Sequence, residues 1–319
     1  MATEAPDPGV TATDPLAARF DRSLTLCCIA YNEEKLAAAF FEKALALLGA
    51  SVEDFEIVFV DDGSNDRTPE IAGQFAARDP RIRIVTHDRN RGIGPAAKLA
   101  MANATKEYVM FQTADWSYEL RELRIFLELT RRFDIVVGVR PLPTRPLAHI
   151  PLVRSIYRIK GRSDDLPRAI VSLGNYYVLR TLFGMRFADF QNINIYPRTF
   201  LQSLDLKGNS SFLTPEILGN AYRAGMTFIE VPIRFLPRTA GVAKGIRPKA
   251  IYRSVRDILA AWFDWGIPLR ARLWREERRQ IFTLFEPAYV DAESIRIAAP
   301  LFKYFLPPSK ASKQAGADR

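Results

Sequence analysis

Short apolar segments alternate with helical patterns through the first 140 residues, and this alternation restricts the possible folds more than any other feature of the chain. Five segments are predicted to be buried strands: Leu24–Ala30, Phe55–Val60, Arg81–Thr86, Tyr108–Gln112 and Ile135–Val139. The segments between them have helical spacing, and one begins with Thr68 as a cap, followed by Pro69 and Glu70 in the first turn. The alternation predicts an α/β fold in which helices flank a mostly parallel sheet.

A polar loop follows each of the first four predicted strands. The loops contain residues 31–34 (YNEE), 61–66 (DDGSND), 89–94 (RNRGIG) and 113–117 (TADWS). Open parallel sheets bind ligands beyond the carboxyl ends of their strands. Four polar loops on one edge of a sheet therefore predict a binding crevice at that edge.

The pattern changes after Arg140, where a proline-rich segment, residues 141–149, begins. Beyond it we predict strands at residues 192–196 and 227–235, a helix from Thr214 to Ala224 that Gly225 ends, and an amphipathic helix at Lys249–Trp265. Residues 1–22 and 307–319 show no apolar period and are predicted to be disordered tails.

The charge balance limits the class of partner. The 45 Lys and Arg residues outnumber the 36 Asp and Glu residues, and the resulting net charge of +9 attracts phosphates, nucleic acid or anionic lipid. Nucleic acid is disfavoured, because the cations follow an acidic crevice and no aromatic stacking platform accompanies them. The 2 histidines are too few to build a metal site, so any metal needs carboxylates. Cys27 and Cys28 are expected to be packed and reduced, on opposite faces of a strand.

Neither end of the chain predicts a membrane-spanning segment. Residues 1–20 lack the basic start and the continuous apolar stretch of a secretion signal, so we expect the protein to remain in the cytoplasm. The longest apolar segment near the C-terminus, Ile258–Leu269, contains Asp264 and is much shorter than the roughly 20 residues that span a bilayer.

Three polar motifs occur in the second half of the chain. They are Arg168-x-x-x-Ser172-x-x-Asn175, residues 189–194 (DFQNIN) and Arg238-x-x-Gly241-x-x-Lys244-Gly245. On a helix, Arg168, Ser172 and Asn175 fall at positions i, i+4 and i+7 and therefore share one face. A guanidinium beside a hydroxyl suits a cluster of phosphate oxygens.

Taken in order, these motifs resemble glycosyltransferase family 2, in particular its dolichyl-phosphate mannose synthase and polyprenyl-phosphate glycosyltransferase branch, from about Ser23 to Trp265. The resemblance implies a GT-A fold, which is Rossmann-like. It also implies a nucleotide-sugar-binding half at residues 23–140, an acceptor-binding half at residues 141–247, and an amphipathic, basic, membrane-proximal helical segment at residues 248–306.

The same resemblance assigns the donor site. The nucleotide is expected at Tyr31, Asn32, Glu33, Asp61, Asp62, Gly92, Gly94 and Thr113. Carboxylates there can accept hydrogen bonds from base N–H groups and ribose hydroxyls. The family's metal motif, Asp-x-Asp, reads Thr113-Ala114-Asp115 here, and Ser117 stands where relatives often have glutamine. Mg²⁺ or Mn²⁺ is therefore expected at Asp115 and Ser117, although threonine replaces the first aspartate.

The resemblance further implies an acceptor that is a polyprenyl phosphate. Its phosphate is expected at Arg140, Arg168, Ser172, Arg238 and Lys244. Asp189 takes the family's position beside the reacting sugar, so the implied catalytic residues are Asp115, Asp189, Arg238 and Lys244. A phosphate monoester is already anionic near neutral pH and needs no general base, so the expected reaction is a one-step displacement that inverts the anomeric configuration.

Two other functions are compatible with these residues. A glycosyltransferase that acts on a saccharide or protein hydroxyl would need a base, which Asp189 or Glu216 could supply. A non-catalytic protein could bind a nucleotide sugar and serve a partner. GDP-mannose and UDP-glucose both fit as donors.

The segment Lys249–Arg279 predicts peripheral docking on the cytoplasmic face of an anionic membrane. Its proposed apolar stripe consists of Ile251, Val255, Ile258, Leu259 and Trp262. Trp262 and Trp265 suit the headgroup boundary, and the basic residues that lie off the stripe or follow it are Lys249, Arg253, Arg256, Arg270, Arg272, Arg275, Arg278 and Arg279. The alternative is that the stripe packs against the catalytic domain or against a partner, which could itself be a membrane protein.

Overall fold

The computed structural model describes residues 16, 18–139, 166–190, 193–233, 236, 248–275, 279–284 and 287–304. Its strands are β1 (Leu24–Ala30), β2 (Phe55–Asp61), β3 (Ile82–Thr86), β4 (Tyr108–Phe111), β5 (Ile135–Val139), β6 (Asn194–Pro197), β7 (Phe228–Pro232) and β8 (Ile281–Thr283). They form one sheet in the order β3-β2-β1-β4-β6-β5-β7-β8. The five strands predicted in the first half are confirmed, and their ends differ from the prediction by no more than one residue.

The sheet is mostly parallel, as predicted. Strand β1 runs parallel to β2 and β4, β2 to β3, β5 to β7, and β7 to β8, whereas β6 is antiparallel to both β4 and β5. From β1 the chain first builds β2 and β3 on one side and then crosses to β4 on the other. The carboxyl ends of β1 and β4 therefore flank a topological switch point, where open α/β sheets bind their ligands.

Helices cover both faces of the sheet. They are α1 (Glu34–Ser51), α2 (Thr68–Arg78), α3 (Ile93–Asn103), α4 (Leu123–Leu129), α5 (Leu166–Phe183), α6 (Arg198–Ser203), α7 (Leu213–Arg223), α8 (Pro248–Ala261), α9 (Ile267–Arg275) and α10 (Ala292–Ala298). A π-helical segment, Trp262–Gly266, joins α8 to α9, and 3-10 turns occupy Pro287–Tyr289 and Ala299–Tyr304.

Two apolar layers lie on opposite faces of the sheet. One contains buried side chains of α1, α4 and α10, and the other contains those of α3, α7 and α8. Cys28 belongs to the first layer and Cys27 to the second, and both thiols are free and buried. The predicted packed, reduced pair on opposite faces is therefore confirmed.

Helix α2 begins differently from the prediction. Thr68 is the first helical residue and not the cap. Its backbone N–H donates to Asp66 Oδ1 at 2.9 Å, so the aspartate satisfies this helix start. The Thr68 hydroxyl instead accepts from the backbone N–H of Glu33 at 2.8 Å. Thr68 therefore ties the loop after β1 to α2.

The chain is ordered two residues before the predicted end of the N-terminal tail. Phe20 is fully buried and pairs with Val52 in a parallel bridge. The guanidinium groups of Arg124 and Arg131 lie 5.4 and 5.1 Å from its ring centroid. Burial of an aromatic ring between two cations explains why this residue does not belong to a disordered tail.

Residues 279–304 return to the main body of the protein. Strand β8 extends the sheet beside β7, and Ile297, Ala298 and Leu301 are buried in the same layer as α4. The predicted basic helical segment at residues 248–306 thus includes a strand and a packed C-terminal part as well as α8 and α9.

Helix α8 has two apolar faces, and the predicted stripe combined residues from both. Ile258 is only 4% exposed and Trp265 only 5%, and Trp262 is partly buried against the same layer. Trp265 packs on Phe183 with ring centroids 4.6 Å apart. The prediction that Ile258, Trp262 and Trp265 face away from the protein is therefore wrong, because Ile258 is buried in the second apolar layer and the two tryptophans of the π-helical segment pack on Phe183 of α5.

The outer face of this region is a different set of residues. We call it the outer stripe, and its members, between 36% and 71% exposed, are Ile251, Tyr252, Val255, Leu259, Phe263 and Ile267. Within the described residues, no helix is long and apolar enough to cross a membrane.

Candidate active site

Hydrogen bonds join the loop after β1 to the loop after β2. The backbone N–H of Asn32 donates to Ser64 Oγ at 2.9 Å, and that of Asn65 donates to Asn32 Oδ1 at 2.8 Å. The bond from Glu33 to Thr68 adds a third link. The two loops that were predicted to hold the nucleotide base and ribose are therefore fixed to each other before any ligand binds.

Asp61 and Asp62 end the second strand, and both are buried. Asp61 Oδ1 accepts from the backbone N–H of Ser64 at 3.2 Å and stabilises its own loop. Tyr31 and Glu33 are half-buried on the neighbouring loop, as the predicted crevice requires.

The Asp62 carboxylate holds the glycine-rich loop, residues 89–94. Its Oδ1 accepts from the backbone N–H of Arg91 at 3.0 Å, and its Oδ2 accepts from that of Gly92 at 2.8 Å. His87 Nδ1 lies 2.7 Å from Asp62 Oδ1. The side chain is only 4% exposed, so this carboxylate organises the loop through several contacts with protein groups.

Two glycines allow close backbone approach around this loop. Gly63 has a φ of +71°, and a Cβ there would lie 2.4 Å from the backbone carbon of Arg89. Gly94 lies in the first turn of α3, where a Cβ would lie 2.4 Å from the backbone carbon of Asn209. The contact of Gly94 is thus with the protein's own backbone, whereas the sequence predicted an approach to the nucleotide.

The loop after β4 orients Asp115. Ser117 donates to Asp115 Oδ1 from its backbone N–H at 3.2 Å and from its hydroxyl at 2.5 Å. Thr113 Oγ1 accepts from the same Ser117 N–H at 3.3 Å, and the Thr113 N–H donates to Gln112 Oε1 at 2.9 Å. A network of short-range hydrogen bonds therefore fixes the carboxylate predicted to bind the metal.

Backbone strain occurs in two of the predicted binding loops. Among the described residues, the non-glycine residues with positive φ are Asn32, at +54°, and Trp116, at +51°. A bulky residue rarely adopts this left-handed conformation, which costs on the order of 1–3 kcal/mol. The Trp116 ring packs on Phe40 with centroids 5.7 Å apart. Packing thus helps to hold the turn that presents Asp115 at the crevice.

A buried thiol, Cys28, lies on β1, between β2 and β4. Burial raises the pKa of Cys28, and the negative charges of Glu33 and Asp115 raise it further. The charges of Glu33, in the loop after β1, and Asp115, in the loop after β4, thus act on the same buried thiol.

The segment after β7 contacts the Asp115 loop. The backbone N–H of Leu236 donates to the carbonyl oxygen of Ser117 at 2.7 Å. Arg140, Arg238 and Lys244 lie outside the described residues. Arg168 and Ser172 fall within α5, but their side chains also lie outside the description.

Both candidate bases of the predicted acceptor half, Asp189 and Glu216, are buried. Asp189 is 3% exposed, and its Oδ1 accepts from the backbone N–H of Phe190 at 2.9 Å. Glu216 accepts from the backbone N–H groups of Lys207 and Gly208 at 3.0 and 2.9 Å, one on each carboxylate oxygen. Burial raises the pKa of Glu216, although these two hydrogen bonds oppose the shift. Both carboxylate oxygens of Glu216 are thus engaged by the backbone of a loop. This disfavours Glu216 as the base in sugar transfer to a hydroxyl acceptor.

Residues 25–193, more than half of the chain, match the sequence profile of Glycosyl transferase family 2. The chain belongs to glycosyl transferase family 2. The family and the mostly parallel sheet were thus both anticipated from the sequence.

This family 2 chain has several named relatives. It is 27% identical over 239 residues to the undecaprenyl-phosphate mannosyltransferase of Micrococcus luteus, a match that covers 72% of this chain and 91% of the relative. It is 26% identical over 250 residues to the dolichyl-phosphate beta-glucosyltransferase ALG5A of Trichomonas vaginalis, with 72% of each protein covered. Glycosyltransferase AglD of Haloferax volcanii is 28% identical over 228 residues, which cover 69% of this chain but only 33% of the relative, so the chain spans about a third of that protein.

A solved structure supports the fold of this family 2 member. Glucosyl-3-phosphoglycerate synthase from Mycobacterium tuberculosis, in complex with Mn²⁺, uridine diphosphate and glucosyl-3-phosphoglycerate, superposes with a TM-score of 0.52 at 16% identity. The match covers 81% of this chain and 86% of that one. The predicted GT-A architecture is therefore confirmed, and that neighbour was solved with Mn²⁺ bound.

The loop after β4, which was predicted to bind the metal, offers few protein ligands for such a cation. Within the described part of the chain, no group of three or more His, Cys, Asp or Glu side chains gathers around one point. Mg²⁺ is commonly bound by one or two carboxylates, with water and substrate phosphates as its other ligands. Asp115, oriented by Ser117, fits that minimal arrangement.

Sequence reasoning missed two residues that contact the candidate site. Gln112 is 3% exposed, and its Nε2 donates to the carbonyl oxygen of Tyr118 at 2.9 Å, which closes the metal loop. His87 follows β3 directly and contacts Asp62. The position of His87 at a strand end was a usable signal, whereas the role of Gln112 depends on a loop closure that no sequence pattern indicates.

Proposed function

We propose that this protein transfers a hexose from a nucleoside diphosphate sugar to a polyprenyl phosphate at a membrane surface. The observation that carries the proposal is the Asp115 carboxylate, oriented by Ser117, in the loop after β4 beside the topological switch point between β1 and β4. Two relatives that this chain covers by 91% and 72% are named as transferases acting on undecaprenyl and dolichyl phosphate.

The donor is expected to lie on the joined loops after β1 and β2. Tyr31, Glu33 and Asp61 would bind the base and ribose, since polar groups that are fixed in advance lose little entropy when a ligand arrives. Asp62 would contribute indirectly, because its carboxylate positions the backbone of Arg91 and Gly92.

Asp115 would hold the divalent cation, Mg²⁺ or Mn²⁺, with Ser117 and Thr113 supporting it. When bound, the cation would neutralise charge on the diphosphate leaving group. Ser117 fixes the orientation of the Asp115 carboxylate, and Gln112 and Trp116 hold the loop in shape. The protein's part in the donor reaction is therefore alignment.

The acceptor phosphate would attack the anomeric carbon of the sugar. A phosphate oxygen forms the new bond to that carbon, the bond to the diphosphate oxygen breaks, and the nucleoside diphosphate leaves. No proton transfer is needed, which agrees with the engagement of Glu216 by backbone N–H groups. The basic segment that contains Arg238 and Lys244 follows Leu236, whose bond to Ser117 supports a role for these cations near Asp115.

The outer stripe of α8 is proposed to dock on an anionic bilayer on the cytoplasmic side. Tyr252 and Phe263 are 69% and 71% exposed, and Lys249, Arg253 and Arg256 on the same helix are also exposed. Basic residues near an anionic leaflet contribute on the order of 1 kcal/mol each, which favours lipid over a neutral protein surface. A polyprenyl acceptor keeps its tail in the bilayer, so docking would bring the site to its substrate.

The test is sugar transfer from radiolabelled GDP-mannose or UDP-glucose to polyprenyl phosphate with Mn²⁺ or Mg²⁺, followed by extraction into organic solvent. Asp115→Asn should reduce labelled lipid by at least ~100-fold, a loss typical of removing a major electrostatic group from a transition state. Asp54→Asn is a matched control, because Asp54 pairs with Lys106 at the opposite edge of the sheet. Undiminished, metal-dependent transfer by Asp115→Asn would remove Asp115 from the site, and a parent protein that labels no lipid would overturn the proposed acceptor.

A further inference from the structure

The loop between α6 and α7, residues 204–212, lies between the glycine-rich loop and α8. We call it the bridging loop. On one side, the backbone of Asn209 lies so close to Gly94 that a Cβ there would be 2.4 to 2.7 Å from it. Lys98, on the same helix as Gly94, donates from Nζ to Asn209 Oδ1 at 3.1 Å. The first turn of α3 therefore rests directly on the bridging loop.

On its other side the bridging loop is bound to α8. The backbone N–H of Asn209 donates to Asp257 Oδ2 at 2.9 Å, and Asp257 Oδ1 accepts from Arg256 at 2.8 Å. Burial raises the pKa of Asp257, but these hydrogen bonds outweigh it and hold the pKa below its ordinary value, so the carboxylate is charged at neutral pH. The hydroxyls of Ser211 and Ser254 add a second link at 2.9 Å.

Further contacts hold the bridging loop in place. Glu216 holds the backbone N–H groups of Lys207 and Gly208, and a Cβ at Gly208 would lie 2.7 Å from Glu216 Oε2. Lys207 also pairs with Asp264 at 2.9 Å. Because the loop contacts both α3 and α8, it is a physical path by which a displacement of α8 would reach α3.

Helix α8 thus has opposite faces with different partners. Asp257 is 7% exposed and faces the bridging loop, whereas Val255 and Leu259, two residues away on either side, are 48% and 46% exposed on the outer stripe. Arg253 reaches back toward the glycine-rich loop, with its guanidinium 4.0 Å from the Cβ position of Gly92. Helix α8 therefore carries both residues of the outer stripe and residues that approach the glycine-rich loop and the bridging loop.

We propose that the bridging loop couples the seating of α8 on a bilayer to the affinity of the glycine-rich loop for the nucleotide, with Asp257 as the positioning residue of the coupling. This inference rests on the proposed function, which supplies both the nucleotide and the membrane. Seating restricts the positions of α8, and Asp257 passes that restriction through Asn209 to Gly94. The nucleotide then binds a loop that is already ordered, so less conformational entropy of the loop is lost when the nucleotide binds.

The experiment measures UDP and GDP affinity by calorimetry, with and without vesicles of phosphatidylcholine and phosphatidylglycerol, and vesicle binding by flotation. For the parent we expect at least ~5-fold tighter binding of the preferred nucleotide in the presence of vesicles, the lower end of typical coupling between sites. Because coupling is reciprocal, saturating nucleotide should increase the apparent affinity for vesicles by the same factor. This reciprocal measurement needs no variant.

Three variants locate the coupling. Asp257→Ala should float like the parent but lose the vesicle effect on nucleotide affinity, and Asp257→Asn, which keeps an acceptor for the Asn209 N–H, should retain part of it. Asp264→Ala is the matched control, since it breaks an exposed ion pair between the same helical region and the same loop without touching Asn209. A purely structural role of Asp257 would lower stability and leave the ratio of affinities with and without vesicles unchanged.

The failures are distinguishable. If the parent protein floats with vesicles but its nucleotide affinity is the same with and without them, the coupling is overturned and the docking is not. A parent that binds nucleotide but does not float overturns docking, and the coupling with it. A vesicle effect that survives equally in Asp257→Ala and Asp264→Ala overturns the role of Asp257.

Discussion

Replacing Asp62 with alanine removes the acceptor that fixes the glycine-rich loop. The backbone N–H groups of Arg91 and Gly92 lose their partner, and so does His87. A hydrogen bond to a charged group contributes roughly 1.5–3 kcal/mol, and a donor left without an acceptor costs about 1–3 kcal/mol. Because Arg91 is exposed and Gly92 half-buried, water can reach both N–H groups, so the lower values apply. We expect the free energy of unfolding to fall by about 2–4 kcal/mol.

The same substitution should weaken nucleotide binding. If the released loop occupies its binding position a tenth of the time, the apparent affinity for UDP or GDP falls about ten-fold. Urea unfolding followed by tryptophan fluorescence measures the stability change, and calorimetry measures the affinity.

The matched control is Asp88→Ala. Asp88 belongs to the same connection between β3 and α3, but its side chain is 64% exposed and it pairs with Arg91 on the surface, where ion pairs contribute little. If Asp62→Ala unfolds within about 0.5 kcal/mol of Asp88→Ala, the scatter of ordinary surface substitutions, and both nucleotides bind as tightly as to the parent, the organising role of Asp62 is refuted.

Two further predictions concern packing and burial. Gly94→Ala should destabilise the protein by about 1–3 kcal/mol through overlap with the Asn209 backbone, whereas Gly73→Ala, in helix α2 with open space around its Cβ, should stabilise it by about 0.5–1 kcal/mol. Similar effects of both in urea unfolding would contradict the close approach of α3 to the bridging loop. Cys27 and Cys28 should resist iodoacetamide at pH ~8, near the reference thiol pKa, because burial raises the pKa of each thiol, and both should react in denaturant. Mass spectrometry that finds rapid labelling of the native protein would contradict the burial of β1.

The strands of the first half could be predicted closely because each is a short apolar segment bounded by polar loops. β8 could not, since Ile281–Thr283 is only 3 residues long and its side chains are half-buried. Its place in the sheet depends on pairing with β7, a contact that local sequence does not indicate. The position of Asp115 at the end of β4 was predictable for the same reason as the strand itself.

The partners of polar and apolar side chains were harder to predict. Sequence places Asp62 at a strand end, but it does not reveal that the carboxylate faces Gly92 and not open solvent. Likewise, helical spacing identifies apolar residues on α8 without separating two faces, so Ile258 and Trp265 were assigned to the wrong side. In both cases the deciding neighbours come from distant parts of the chain.

The path of the chain from β7 to β8 makes α8 and α9 a crossover within the sheet. The two strands are adjacent and parallel. The helices between them are therefore preceded and followed in the chain by strands of the same sheet. A chain ended before α8 would lose β8 as well and would leave β7 as an open edge, which is prone to pairing with other chains. The proposed membrane-facing helix is thus not an exchangeable appendage: grafting a different anchor onto this catalytic body would also require a new cover for its sheet.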